Sequence, residues 1–252
     1  MKNNLFDISH RTALITGGQR GLGRGITEAF AAAGANIAVV SRSVSDEFLE
    51  EMKKYDVVCR KYNYNIADLE EQKALVDEVV RDFGTIDILV NNAGLQYRCP
   101  AEEFPVDKYD QIMSVNCRAA YFLCQRVGAL MLEKGYGKII NIASLNTFQG
   151  RKLISPYAAT KGAIAQFSKS MANEWASRGV NVNCIAPGFF ETELTGDLLR
   201  DPKNRDEILS RIPVGRLGDP SELGGAAIFL ASHASDYVTG HVLCVDGGWM
   251  GA

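Results

Sequence analysis

Short apolar runs alternate with longer stretches of helical spacing along most of the chain. Thr12–Thr16 (Thr-Ala-Leu-Ile-Thr) stops at glycines and predicts a strand. Strands are likewise predicted at 36–41 (with Ile-Ala-Val-Val), 57–62, 86–91, 138–143, 180–185 and 241–245. Between them, helices are predicted at 21–33, ended by Gly34, and at 46–55, 68–83, 107–133, 156–177 and 220–230. The 68–83 segment carries its own punctuation, with Asp68 at the cap and Gly84 past the end.

Apolar strands separated by helices imply a parallel sheet covered on both faces. Right-handed crossovers then give an α/β fold, one doubly wound, Rossmann-like sheet. Neither a Pro/Gly/Ser-rich linker nor an internal repeat divides the sequence, so 1–252 reads as one domain. The segment from about 189 to 216 fits the strand–helix rhythm least. It leaves a strand's carboxyl end, where ligands bind in such sheets, so it is expected to form a substrate lid.

Composition narrows the function classes. The 252 residues are 46% hydrophobic and 23% charged, which suits a globular chain and excludes a disordered or fibrous one. Lys and Arg number 27 against 30 Asp and Glu, a formal charge of −3, which argues against nucleic acid as the main partner. No apolar run reaches the length of about 18 residues that a membrane span needs, and Met1–His10 does not read as a signal peptide. Six cysteines without CxxC pairs and three widely spaced histidines suggest no metal site and fit reduced thiols in the cytoplasm.

Three features point to chemistry. The first strand runs into Thr16-Gly17-Gly18-Gln19-Arg20-Gly21-Leu22-Gly23, where glycines allow a tight turn and the next helix offers free N–H groups to a pyrophosphate. Tyr157 and Lys161, four residues apart, share one helix face; alone they could equally be a packed ring beside a solvated amine. Ser144 lies just past the fifth strand, and Asn91-Asn92-Ala93-Gly94 just past the fourth, on the same sheet edge. Asn116 sits among apolar neighbours in a helix, where its bland role is a buried amide satisfied by backbone.

Taken in order, these motifs and Pro187-Gly188 resemble the short-chain dehydrogenase/reductase family over essentially the whole chain. The resemblance implies a catalytic tetrad of Asn116, Ser144, Tyr157 and Lys161 and a nicotinamide cofactor. It implies cofactor contacts from Gly17, Gln19, Arg20, Gly21, Leu22 and Gly23, and from Asn92, Ala93, Gly94, Tyr157, Lys161, Pro187 and Gly188. Thr192 matches the family residue that meets the nicotinamide amide. Many relatives have an aspartate that meets the adenine; here Asn65, followed by Ile66, takes that place. Tyrosine ordinarily titrates near 10, so Lys161 and an oxidised nicotinamide are expected to lower it. Ser144 is expected to hold the substrate oxygen against Tyr157, and Asn116 to hold a water of a proton relay.

Ser41 ends the second strand and Arg42 follows it, where an acid would hold the ribose diol of NAD. With Arg20 they suit a 2′-phosphate, so NADP(H) is expected over NAD(H). Within the family, the later stretches, Ile140-Asn-Ile-Ala-Ser144 and Val245-Asp-Gly-Gly-Trp249 among them, look most like dehydrogenases of 2-dehydro-3-deoxygluconate and gluconate. A sugar-acid carboxylate needs a cation, and Arg98 or Arg151 could supply it; Gln149 could bind a hydroxyl. Two other readings stay open: a reductase of 3-oxoacyl-carrier-protein or a ring ketone, and a non-catalytic dinucleotide sensor. Relatives assemble through the paired long helices and the last strand, so a homotetramer is expected, and the apolar tail Trp249-Met250 is read as part of that contact.

Overall fold

In the computed structural model, which describes residues 4–192, 196 and 200–252, seven parallel strands form one sheet. They are β1 (Thr12–Thr16), β2 (Asn36–Ser41), β3 (Cys59–Asn63), β4 (Ile88–Asn91), β5 (Gly137–Ile142), β6 (Val180–Pro187) and β7 (Val242–Val245). Their order across the sheet is β3-β2-β1-β4-β5-β6-β7. The order reverses at β1, so a crevice opens between the loops that follow β1 and β4. The inner strands β1, β4 and β5 are buried along their whole length, which explains their continuous apolar runs. β3 and β7 lie at the edges and are only partly covered.

Helices cover both faces. On one lie α1 (Gly21–Ala32), α2 (Asp46–Met52) and α8 (Glu222–Ala231), joined to the sheet through Ile26, Phe30, Phe48, Leu223 and Leu230. On the other lie α3 (Leu69–Phe83), α5 (Ala119–Lys134) and α6 (Ser155–Trp175), joined through Leu75, Val79, Leu123, Val127 and Met171. Phe30 is fully buried, and cutting such a ring to alanine typically costs ~3–5 kcal/mol. The helix ends follow the sequence signals. Asp68 accepts hydrogen bonds from the Glu70 and Glu71 amides, and Gly84 closes α3 in the left-handed region at φ 77°.

Two segments contain elements the sequence did not predict. The helix predicted at 107–133 is three pieces: α4 (Val106–Ile112), a π-helical turn (Met113–Arg118) and α5. The widened turn contains Asn116, whose amide is engaged away from the helix; such bulges recur at functional sites. The 189–216 segment, expected as a lid, contains α7 (Pro202–Ser210), capped by Asp201. Ile208 and Ile212 of this segment, with Leu217 just after it, bury against Leu145 and Trp249 as a small satellite core. Residues 193–195 and 197–199 of that segment lie outside the described residues. No helix among the described residues is long and apolar enough to cross a membrane.

Candidate active site

The crevice between β1 and β4 begins with Thr16. Its hydroxyl accepts from the Asn92 and Ala93 amides at 3.0 and 2.9 Å. The Asn92 side chain donates back to the Thr16 and Gly17 carbonyls at 2.9 and 3.1 Å, so the two loops are locked together. A side chain at Gly23 would put its Cβ 2.3 Å from the Gly17 carbonyl oxygen, so only glycine lets α1 start this close to the loop. Among the described residues no side chain caps α1, whose N-cap is Arg20, so its first amides can meet an anion. Gln19 straps this loop to the next one. It donates to Ser41 Oγ at 3.1 Å and to the Ser43 carbonyl, and it accepts from the Ser45 amide at 3.0 Å. Thr192 closes from above, with its side chain 3.7 Å from where a Cβ on Gly21 would stand.

From this crevice a cleft of about 1350 Å³ runs across the carboxyl ends of the strands. That exceeds the usual small-molecule pocket of up to ~1,000 Å³ and leaves room for a dinucleotide with a second ligand. The glycine loop, Ser41, Arg42, Asn65, Ile66, Pro187, Gly188 and Thr192 all line it, as do Ser144, Tyr157, Lys161, Arg98, Gln149 and Arg151. Asn116 does not. It lies behind the wall, 1% exposed, with Oδ1 accepting from the Leu95 amide at 2.9 Å and Nδ2 donating to the Leu95 carbonyl at 2.8 Å. The amide thus clamps the strand β4 loop.

Three side chains meet at the centre. Ser144 follows β5 in extended backbone beside Tyr157, and its oxygen accepts from the Asn146 amide at 3.2 Å. Tyr157 and Lys161 stand one turn apart on α6, the lysine ammonium 5.5 Å from the tyrosine ring centre. Lys161 is buried and donates to the Ile142 carbonyl at 2.6 Å. Burial pushes its pKa down to about 8. The same burial pushes the Tyr157 phenol up, only partly offset by Ser144. The expectation that Lys161 and an oxidised nicotinamide together lower the phenol concerns the cofactor-bound site. In the protein alone, desolvation dominates and the ammonium is spent on a carbonyl.

Beneath the lysine a buried polar thread crosses the sheet. Asn91 Nδ2 donates to Asn141 Oδ1 at 2.8 Å and approaches Cys124 Sγ at 3.1 Å. Asn141 Nδ2 donates to Ser168 Oγ at 2.8 Å, and Ser168 meets Cys184 Sγ at 3.3 Å. Sequence reasoning saw Asn91 only as part of a loop motif and had no signal for the rest.

The far end of the cleft also holds residues that the sequence did not suggest: Asn204 and Glu207 from α7, Arg211 just past it, and Trp249. Trp249 is 7% exposed and buried within its own chain, whereas Met250 beside it is exposed. The hydrophobicity of Trp249 in sequence carried the burial but not the partner.

A short-chain dehydrogenase family model, described as enoyl-(acyl carrier protein) reductase, matches residues 17–250. The chain belongs to the short-chain dehydrogenase/reductase family. It is an oxidoreductase of that family. Among similar curated proteins is the 2-dehydro-3-deoxy-D-gluconate 5-dehydrogenase of Bacillus subtilis, 44% identical over 98% of both chains. The gluconate 5-dehydrogenase of Gluconobacter oxydans is 41% identical, covering 97% of this chain and 96% of that one. A crystal structure of a gluconate 5-dehydrogenase from Burkholderia cenocepacia, in complex with NADP and tartrate, is 40% identical and covers 98% of each chain at a TM-score of 0.92.

Proposed function

We propose that this short-chain dehydrogenase moves a hydride between NADP(H) and a ketone or secondary alcohol of a sugar acid, of the 2-dehydro-3-deoxygluconate or gluconate type. One observation carries the reading: the Ser144–Tyr157–Lys161 cluster stands in a single cleft between a phosphate-ready helix end and a cation-rich far wall. The residues present fit the cofactor. The open α1 terminus and the glycine approach suit a pyrophosphate, and Arg42 beside Ser41 suits a 2′-phosphate. When bound, the nicotinamide supplies or accepts the hydride.

The chain's own residues manage the proton. Ser144 and Tyr157 hold the substrate oxygen between two hydroxyls. Tyr157, neutral at physiological pH, gives its phenolic proton to that oxygen as a carbonyl is reduced. In the reverse direction the phenol must lose its proton, which the positive charge of Lys161 and of the oxidised cofactor favours. Asn116 fixes the loop that carries Leu95 and so keeps the wall behind the cofactor in place. An arginine at the far end, Arg98 or Arg151, takes the carboxylate, and Gln149 takes a hydroxyl. Six free thiols suit a cytoplasmic setting.

The test is NADPH oxidation against a panel of keto sugar acids, acyl thioesters and ring ketones. Turnover is expected with the sugar acids and slower with NADH. Tyr157→Phe should lose at least ~100-fold in kcat with cofactor affinity intact, since general acid–base catalysis contributes about 10²–10⁴. Arg42→Ala should narrow the preference for NADPH by ~10-fold or more, the worth of one charge-assisted contact. Near-normal kcat in Tyr157→Phe removes the mechanism, and turnover of thioesters alone removes the substrate class.

A further inference from the structure

The far wall is put together from parts of the chain that carry no nucleotide-binding signature. Asp246 bends the tail after β7: its carboxylate accepts from the Gly248 amide at 3.0 Å and from the Met250 amide at 2.9 Å. The Val214 amide donates to the Gly247 carbonyl at 3.1 Å and ties the bend to the segment after α7. Trp249 is thereby set into the satellite core, its ring 4.8 Å from that of Phe189.

Two guanidinium groups lie on these rings. Arg211 sits 4.0 Å from the centre of Trp249 and Arg151 sits 4.8 Å from the centre of Phe189. A guanidinium stacked on a ring keeps its N–H edge free, and that edge matches a carboxylate in two parallel bonds. Neither arginine has an ion-pair partner among the described residues. Around Arg151 the charges are mostly of its own sign. Burial and the repulsion of Arg98 and Arg211 hold its pKa below the ordinary value, and Glu207 only partly offsets them. An anion is what this arrangement lacks.

Trp249 adds an independent sign. Its indole N–H is buried and has no acceptor, one of three such buried polar atoms among the described residues. The other two, Gln72 Oε1 and Arg126 Nε, belong to residues that do not line the cleft, whereas Trp249 does. Indole N–H groups usually find a partner when buried, because leaving one unpaired is costly. An oxygen acceptor on the cleft side is what this N–H lacks.

We propose that Arg211 and Trp249 determine substrate specificity: Arg211, together with Arg151, grips the carboxylate, and the Trp249 N–H donates to a neighbouring substrate oxygen. The inference rests on the sugar-acid reading and moves the anchor from Arg98, which stacks on no ring among the described residues, to the two ring-stacked arginines. Aromatic bracing lowers the ordering cost of a long side chain at the moment of binding.

The experiment measures KM and kcat of wild type, Arg211→Gln and Trp249→Phe on a keto sugar acid and on its uncharged amide. Arg211→Gln is expected to raise KM for the acid by about tenfold or more and for the amide by less than ~3-fold, the mark of a lost charge-assisted contact. Trp249→Phe keeps an aromatic ring under Arg211 and loses only the N–H, so KM should rise by ~2–10-fold for both compounds with kcat within about twofold. The dissociation constant of NADPH, unchanged in both variants, separates lost binding from lost folding. Parallel changes for acid and amide in Arg211→Gln, or an unchanged KM in Trp249→Phe, overturn the inference while the sugar-acid reading stands. A wild type that reduces other ketones and no sugar acid overturns both.

Discussion

Tyr157 and Lys161 are pushed in opposite directions by one cause. Desolvation drives each toward its neutral form, the phenol up and the ammonium down to about 8. For Lys161 this has a consequence for stability. Its folded value lies below the ordinary 10.5, so between about pH 8 and 10.5 the unfolded chain binds more protons. Wild-type stability therefore gains from rising pH in that window, and below it the fold bears the full cost of a buried ammonium. Lys161→Met should abolish turnover yet be more stable than wild type at pH 7, with an advantage that shrinks toward pH 10.5. Urea midpoints of both proteins at pH 7 and pH 10 check this; an advantage that is constant with pH removes the argument. At this scale the sequence was informative where residue type and spacing imply a role, as for Ser144, Tyr157 and Lys161. It was silent where the role depends on long-range contacts. Nothing local marks Trp249 or Arg211 as neighbours, and their meeting depends on the Asp246 bend.

The elements repeat the same division. Strands and most helices followed from apolar periodicity, since an inner strand of a covered sheet has no polar face to show. The π turn at Met113–Arg118 was hidden, because its side-chain pattern differs little from that of an α-helix. Helix α7 was hidden as well: its residues are mostly polar, and only its cap, Asp201, and Pro202 mark it. The packing of α1 on the loop before α8 makes its own prediction. A Cβ on Gly25 would lie 2.1 Å from the Pro220 carbonyl oxygen, a backbone atom that cannot turn aside. Gly25→Ala should therefore cost ~1–3 kcal/mol despite the better helix propensity of alanine. At ~2–4 °C per kcal/mol for a chain of this size, a melting temperature lower by several degrees is expected, and an unchanged one shows that α8 slides freely over α1.

At the scale of the whole molecule, an apolar face remains outside the two cores. Met113, Cys117, Tyr121 and Phe122 line a shallow groove where the π turn meets α5, with Tyr121 39% exposed. At the β7 edge of the sheet, the four residues of β7 are all half-buried, and among the described residues its outer side carries no strand. Short apolar edges and patches of this kind are usually covered by another chain. We expect a homotetramer built on these two surfaces. Light scattering at micromolar concentration should give about four times the chain mass of 27.5 kDa, and Tyr121→Glu should reduce it. A monomer in both proteins rules the assembly out.

The polar thread under Lys161 also limits how this sheet can change over time. Asn91, Asn141 and Ser168 satisfy one another inside a closed interior, so replacing any one strands a donor or acceptor without water. Each single apolar step then costs about 1–3 kcal/mol, a sizeable part of a typical stability of ~5–15 kcal/mol. Replacing all of them together with well-packed apolar groups costs far less. Descendants of this sequence can therefore keep the set or lose it whole, while the paths through the intermediates are closed.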